Sequence, residues 1–237
     1  MPIHPADANR TRCLRGGVST GNYADIGQTL GAQTGENVSL QAQNSLLQTI
    51  TDTNQTVATR LSPTETILGN LRTNARIFST LLENNGSTSN ASAIQATGQS
   101  DLQDLISSLN SSLNGDYIFG GTNTGEQPIT DYYATSAPNK SAVNNAFLTA
   151  FGMSQTSAGV STISGVNMQN FLDNQFAPLF QGSNWTTNWS SASSQSVSAN
   201  STVFQQLAQA YTMVADLGTQ NLSSSAYQAV AVPHRVF

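Results

Sequence analysis

Asp101 and Asp104 stand three residues apart, so any helix that carries them places both on one face. Paired carboxylates in that position could do general acid–base work; acids near a helix start equally serve the helix dipole and solvation. A hydrolytic nucleophile would need a base and an orienting group within hydrogen-bond reach. The histidines are His4 and His234, at opposite ends of the chain, and the single cysteine, Cys13, lies in an irregular leader. No His, Cys, Asp or Glu cluster has the spacing of metal ligands. Gly115, Gly120, Gly121 and Gly125 suggest a phosphate cradle, but they form neither GxxxxGKS/T nor GxGxxG. The only lysine, Lys140, is distant from them in sequence. Tyr132, Tyr133, Trp185 and Trp189 could stack on a sugar, or form the core of a folded region. Sequons begin at Asn110, Asn184 and Asn188, as a chain rich in Asn, Ser and Thr would give by composition. No catalytic, cofactor-binding or metal residue is expected, and no enzyme.

The 237 residues suffice for one large domain or two small ones. Charged residues make up 9% of the chain, far below the ordinary share, and Ser, Thr, Asn, Gln and Gly take their place. The net charge of −5 and the sparse cluster Arg10, Arg12 and Arg15 give no footprint for nucleic acid. One cysteine excludes an intramolecular disulfide. No apolar run reaches the length of a membrane span, and the N-terminus carries no apolar stretch of a secretory signal.

The elements that must hold these residues are legible from periodicity. Every seventh residue from Leu40 gives Leu40, Leu47, Asn54, Leu61, Leu68, Ala75 and Leu82; the companion series is Gln43, Ile50, Val57, Thr64, Leu71 and Phe78. Ten of these thirteen are apolar, which predicts a long helix with a narrow seam buried against partner helices. Asn54 at an inward position would cost stability and could fix register. Pro63 either kinks this helix or, as Ser62-Pro63-Thr64-Glu65, starts a new one. The cluster at residues 83–87 predicts a turn, and Ile94, Leu102, Leu105, Ile106, Leu109 and Leu113 predict a second, antiparallel helix over about 90–114. Residues 128–199 read as a mixed α+β insertion, with short helices near 143–151 and 168–179 and Ser/Thr/Gly/Val stretches as short strands and turns. Val203, Phe204, Leu207, Tyr211, Val214 and Leu217 predict a returning helix whose face meets the first two. The expected class is mainly α: an elongated antiparallel helical rod with an insertion. Its expected parts are a leader (1–19), the first rod half (20–127), the insertion (128–199), the closing rod helix (200–230) and a tail (231–237).

Three segments resemble one family. Val18-Ser19-Thr20-Gly21-Asn22-Tyr23-Ala24-Asp25-Ile26-Gly27 is similar to the stretch that opens the rod domain in hook-associated proteins of alphaproteobacterial type. The heptad helix, turn and second helix resemble in order the paired helices of the flagellin rod domain. Asn114-Gly115-Asp116-Tyr117-Ile118-Phe119-Gly120-Gly121-Thr122 resembles a motif of the third hook-associated protein. Gly115 is expected to stop the second helix, with Gly120 and Gly121 turning the backbone into the insertion.

The resemblance implies a structural subunit of the bacterial flagellum, joining hook to filament; a flagellin of the filament is the alternative. A secreted carbohydrate-binding or adhesive protein is the rival from another class. Family membership further implies export through the flagellar apparatus without a cleaved signal, an export chaperone, and partners among hook-associated and flagellin subunits. No nucleic acid or membrane insertion is expected. Both termini depart from the family's long amphipathic helices, as if truncated or altered. On that ground the isolated chain is expected to be monomeric.

Overall fold

In the computed structural model the described residues are 26–84, 88–190 and 198–231. The leader with His4, Cys13 and its three arginines, residues 18–25 of the opening motif, turn residues 85–87 and the tail with His234 lie outside them. The chain divides into two units, at Thr59 and Arg60.

In the first unit the described residues belong to α1 (Ile26–Asn84), which runs on into the second. Threonine is a modest helix former because its branched side chain loses freedom against the preceding turn. Here the Thr49, Thr51, Thr53, Thr56 and Thr59 hydroxyls each donate to the carbonyl four residues earlier, at 2.8–3.0 Å. These bonds give each hydroxyl a partner without leaving the helix. Pro63 sits inside α1, with no N–H to offer the Thr59 carbonyl, yet no new helix starts at Ser62.

The second unit holds the core. Its part of α1 contributes Leu71, Phe78 and Leu82, all buried. α2 (Ala91–Leu109) buries Ile94, Leu102, Leu105, Ile106 and Leu109, the face its periodicity predicts. α6 (Thr202–Thr212) buries Phe204, Leu207 and Tyr211 and widens into a π-turn over Met213–Leu217. The Phe78 and Tyr211 rings meet edge to face, 5.1 Å between centroids. Gly98 brings α2 against the π-turn: a Cβ there would lie 3.2 Å from the Ala215 nitrogen. The Gln95 and Gln99 amides both donate to the Ala215 carbonyl, at 2.9 and 3.3 Å. The predicted meeting of the second and last helices is thus present.

The seam does not follow the heptad reading over most of its length. Leu40 and Leu47 are 62% exposed, Leu61 60%, Val57 48%, Ile50 46% and Leu68 42%. Among the described residues, the seam side chains that are buried are Leu71, Phe78 and Leu82. A seven-residue repeat specifies that a partner is wanted, not which chain supplies it. Phe78→Ala should therefore cost about 3–5 kcal/mol and Leu68→Ala less than about 1 kcal/mol. Urea titration of both variants measures the contrast; equal losses would contradict it.

α2 stops at Asn110 rather than at Gly115. A two-stranded antiparallel hairpin follows, β1 (Ser112–Leu113) with β2 (Asp116–Tyr117), in register Ser112 opposite Tyr117. Its turn residues Asn114 and Gly115 both have positive φ, 55° and 92°. Asn-Gly suits such a turn because it matches the strand twist. Gly115 is a hairpin residue, and the helix-stop reading is corrected. Gly120 does turn the chain: a Cβ there would stand 2.8 Å from the Asn123 carbonyl oxygen.

Beyond the hairpin the chain is mostly helical. α3 (Pro138–Phe151) begins on proline and ends at Gly152 in the left-handed region, φ 67°. α4 (Gly165–Phe171) passes into a π-turn, Leu172–Phe176; α5 (Gly182–Asn188) carries Trp185. Residues 158–162, within an expected strand-and-turn stretch, form a 3₁₀ helix. Extended pairing here is the bridge Ile129 to Ser190, with the Thr130 N–H donating to the Trp189 carbonyl at 2.7 Å. α7 (Ser224–Val230) packs on α4, where Gly165 leaves no room for a Cβ against the Ser225 carbonyl oxygen 2.8 Å away.

Candidate functional site

The candidate acid–base pair sits on α2. Asp101 is half-buried and Asp104 exposed. Burial, then the neighbouring Asp104 charge, pushes the Asp101 carboxyl up from 3.8 to about 6. Tyr211 is pushed up too, by burial and then by these two acids, and its hydroxyl has no hydrogen-bond partner among the described residues. An acid whose folded value is raised binds its proton more tightly folded than unfolded. Stability therefore falls as pH rises from about 4 through about 6, and levels off above. Asp101→Asn should raise the urea midpoint at pH 7.5 and leave it nearly unchanged at pH 4. A variant equally stabilised at both values would refute this origin.

The four aromatics considered for sugar stacking are not a surface platform. Tyr132, Trp185 and Trp189 are at most 1% exposed. Trp185 and Trp189 stack at 5.3 Å, and Tyr132 stacks on the other side of Trp189 at 5.5 Å. Phe180 meets Trp189 at 5.1 Å, and Phe176 and Phe171 continue the series. They are the core of the region between the hairpin and α6.

Asn110 is equally committed to structure. Its amide accepts from the Ile129 N–H and donates to the Ile129 carbonyl, both at 2.9 Å. This side chain acts as a strand partner that ties the end of α2 to the start of the Ile129 segment. The Asn184 amide donates to the Pro178 carbonyl at 3.0 Å. The four glycines lie in the hairpin and its following loop, as already described for Gly115 and Gly120.

Sequence reasoning missed one polar constellation. The Tyr132 hydroxyl donates to the Asp216 carboxylate, and Lys140 stands 5.7 Å from the Tyr132 ring centroid and 5.3 Å from that of Tyr133. Burial raises the Asp216 carboxyl above its ordinary value, opposed by the Tyr132 bond and by the Lys140 charge. The available signal was Asp216 itself, one acid inside the apolar run Met213–Leu217. Gln95, Gln99, Lys140, Asn144 and Asp216 line a cleft of about 460 Å³. Among the described residues no three His, Cys, Asp or Glu side chains come close enough to hold a metal ion, and no helix is long and apolar enough to cross a membrane.

Among the described residues, α1 carries an exposed apolar stripe that includes Leu40, Leu47, Ile50, Val57, Leu61 and Leu68. At its C-terminal end it opens into a groove of about 440 Å³ between α1 and α6, floored by Leu71, Phe204 and Leu207 and edged by Arg72 and Arg76. Such a stripe is an association surface rather than a reaction site.

Residues 14–124 match the family model described as the bacterial flagellin N-terminal helical region. No curated protein and no solved structure matches the chain. The family match covers the opening motif, the heptad helix, α2 and the hairpin, and it supports the flagellin family and a structural subunit of the flagellum.

Proposed function

We propose that this chain is a hook-associated subunit of the junction between hook and filament. The observation that carries this reading is the segment Asn114–Thr122, whose sequence resembles the motif of the third hook-associated protein. Its parts are used structurally. The Asn114-Gly115 turn reverses the chain, and Phe119 is buried with its ring 5.8 Å from Phe204. Gly120 then turns the backbone where no side chain fits.

Residues 20–127 and 200–230 form the rod domain in this proposal, with 128–199 as its insertion. The chain is exported through the flagellar apparatus without a cleaved signal, with a chaperone holding it before assembly. Its partners are the other axial subunits, and it carries out no catalysis. The localisation is the flagellum itself.

Immunogold electron microscopy of an epitope-tagged chain tests the role. A junction subunit gives label confined to one short zone between hook and filament. Label along the whole filament would make the chain a flagellin instead, and label absent from flagella would remove both readings.

A further inference from the structure

We propose that Asn114 is a deamidation site that the folded β1–β2 hairpin holds closed, and that it reacts in chains whose turn has opened. Asn114 and Gly115 are both exposed, and glycine puts no side chain in the way of its own backbone nitrogen. Solvent hydroxide removes the Gly115 N–H proton, and the nitrogen attacks Asn114 Cγ. The Cγ–Nδ2 bond breaks, and Nδ2 leaves as ammonia with a proton from water. A second water then opens the five-membered imide. Breaking the new Cγ–N bond leaves aspartate. Breaking the old peptide C–N bond leaves isoaspartate, with the main chain rerouted through Cβ and Cγ.

The turn geometry is what holds the site closed. Asn114 and Gly115 are the two central residues between the paired Leu113 and Asp116, with φ of 55° and 92°. Positive φ at both marks a type I′ turn, the mirror of type I, with ψ of about +30° at the first residue. Tetrahedral geometry at Cα sets the next nitrogen beside Cβ only near a ψ of about −120°, the value of a type II′ turn. At about +30° the Gly115 nitrogen lies about 150° round the Cα–C bond from Cβ and cannot reach Cγ. A switch to type II′ would align the two groups, but its first central position belongs to glycine and does not suit Asn114.

The hairpin is also tied beyond its tip. The Tyr117 N–H donates to the Thr124 carbonyl at 2.8 Å and the Ile118 N–H to the Ser111 carbonyl at 3.0 Å. Phe119 is buried against Phe204. The native chain therefore reacts at the unfolded rate scaled by the population of the open form. The two products then part ways. Aspartate before glycine suits a type I′ turn as asparagine does. Isoaspartate adds a carbon to the main chain, and a two-residue turn cannot hold it with Leu113 still opposite Asp116. The proposal does not rest on the flagellar role, and each can fail without the other.

Incubation of the full chain in mildly alkaline buffer, native and in guanidinium chloride, tests it by peptide mapping with mass spectrometry. Asn85→Gln removes the other Asn-Gly pair of the sequence. Position 114 should deamidate more than about tenfold slower in the native chain than in denaturant. Chains carrying isoaspartate at position 114, isolated by chromatography, should refold with a lower urea midpoint, whereas Asn114→Asp should keep that of the parent. Equal rates in buffer and denaturant, no reaction in denaturant, or isoaspartate chains no less stable than Asn114→Asp chains would overturn the proposal.

Discussion

Trp189→Ala is expected to lower the free energy of unfolding by about 3–5 kcal/mol, the cost of removing a large buried ring whose neighbours cannot collapse into the space. Its ring lies between Trp185 and Tyr132 and against Phe180. These neighbours come from α5, from the 3₁₀ turn Ala177–Phe180 and from the segment after Ile129, so no single backbone shift fills the void. Trp189→Phe should lose much less. The indole Nε1 of Trp189 is buried without a hydrogen-bond partner among the described residues, so the smaller ring surrenders packing but no polar contact. Trp185 differs, since its Nε1 donates to Asn200 Oδ1 at 2.7 Å. Urea unfolding followed by circular dichroism measures the three variants. A loss below about 1 kcal/mol for Trp189→Ala would mean that the aromatic series is not a packed core.

Tyr132→Phe is expected to destabilise by about 1.5–3 kcal/mol near neutral pH, the range for a hydrogen bond to a charged group. Burial raises the Asp216 carboxyl above its ordinary value in the folded chain, and the Tyr132 hydroxyl and the Lys140 charge oppose that rise. Removing the hydroxyl raises the carboxyl further above its ordinary 3.8. A raised folded value means stability present at low pH and lost as pH rises through that value. The cost of Tyr132→Phe should therefore be largest at pH 7 and shrink toward pH 3, where Asp216 is neutral in both states. Asp216→Asn should remove most of this pH dependence, and the double variant should show coupling. A cost independent of pH would assign the effect to ring packing alone.

Much of the fold was legible in the sequence. The apolar spacing of α2 and α6 fixed which faces are buried, because a helix of 3.6 residues per turn leaves few ways to keep Leu102, Leu105 and Tyr211 from water. The short helix expected near residues 143–151 is α3, which begins at Pro138 and ends at Gly152 in the left-handed region. With 9% charged residues and its histidines at positions 4 and 234, the sequence offered few groups from which to expect catalysis or nucleic-acid binding.

Three features depended on tertiary structure. Gly115 could stop a helix or turn a hairpin, both of which use positive φ; the pairing of Ser112 with Tyr117 decided for the hairpin. Tyr132, Lys140 and Asp216 span 84 residues from first to last in their one hydrogen bond, and no local pattern brings such side chains together. The heptads showed that the seam from Leu40 to Leu68 needs a partner. That these side chains stay exposed in a single chain is a matter of which helices fold against α1, and there the helices that reach it cover Leu71, Phe78 and Leu82. Periodicity records the face a helix must bury, whereas the identity of the covering surface depends on contacts distant in sequence or in another molecule.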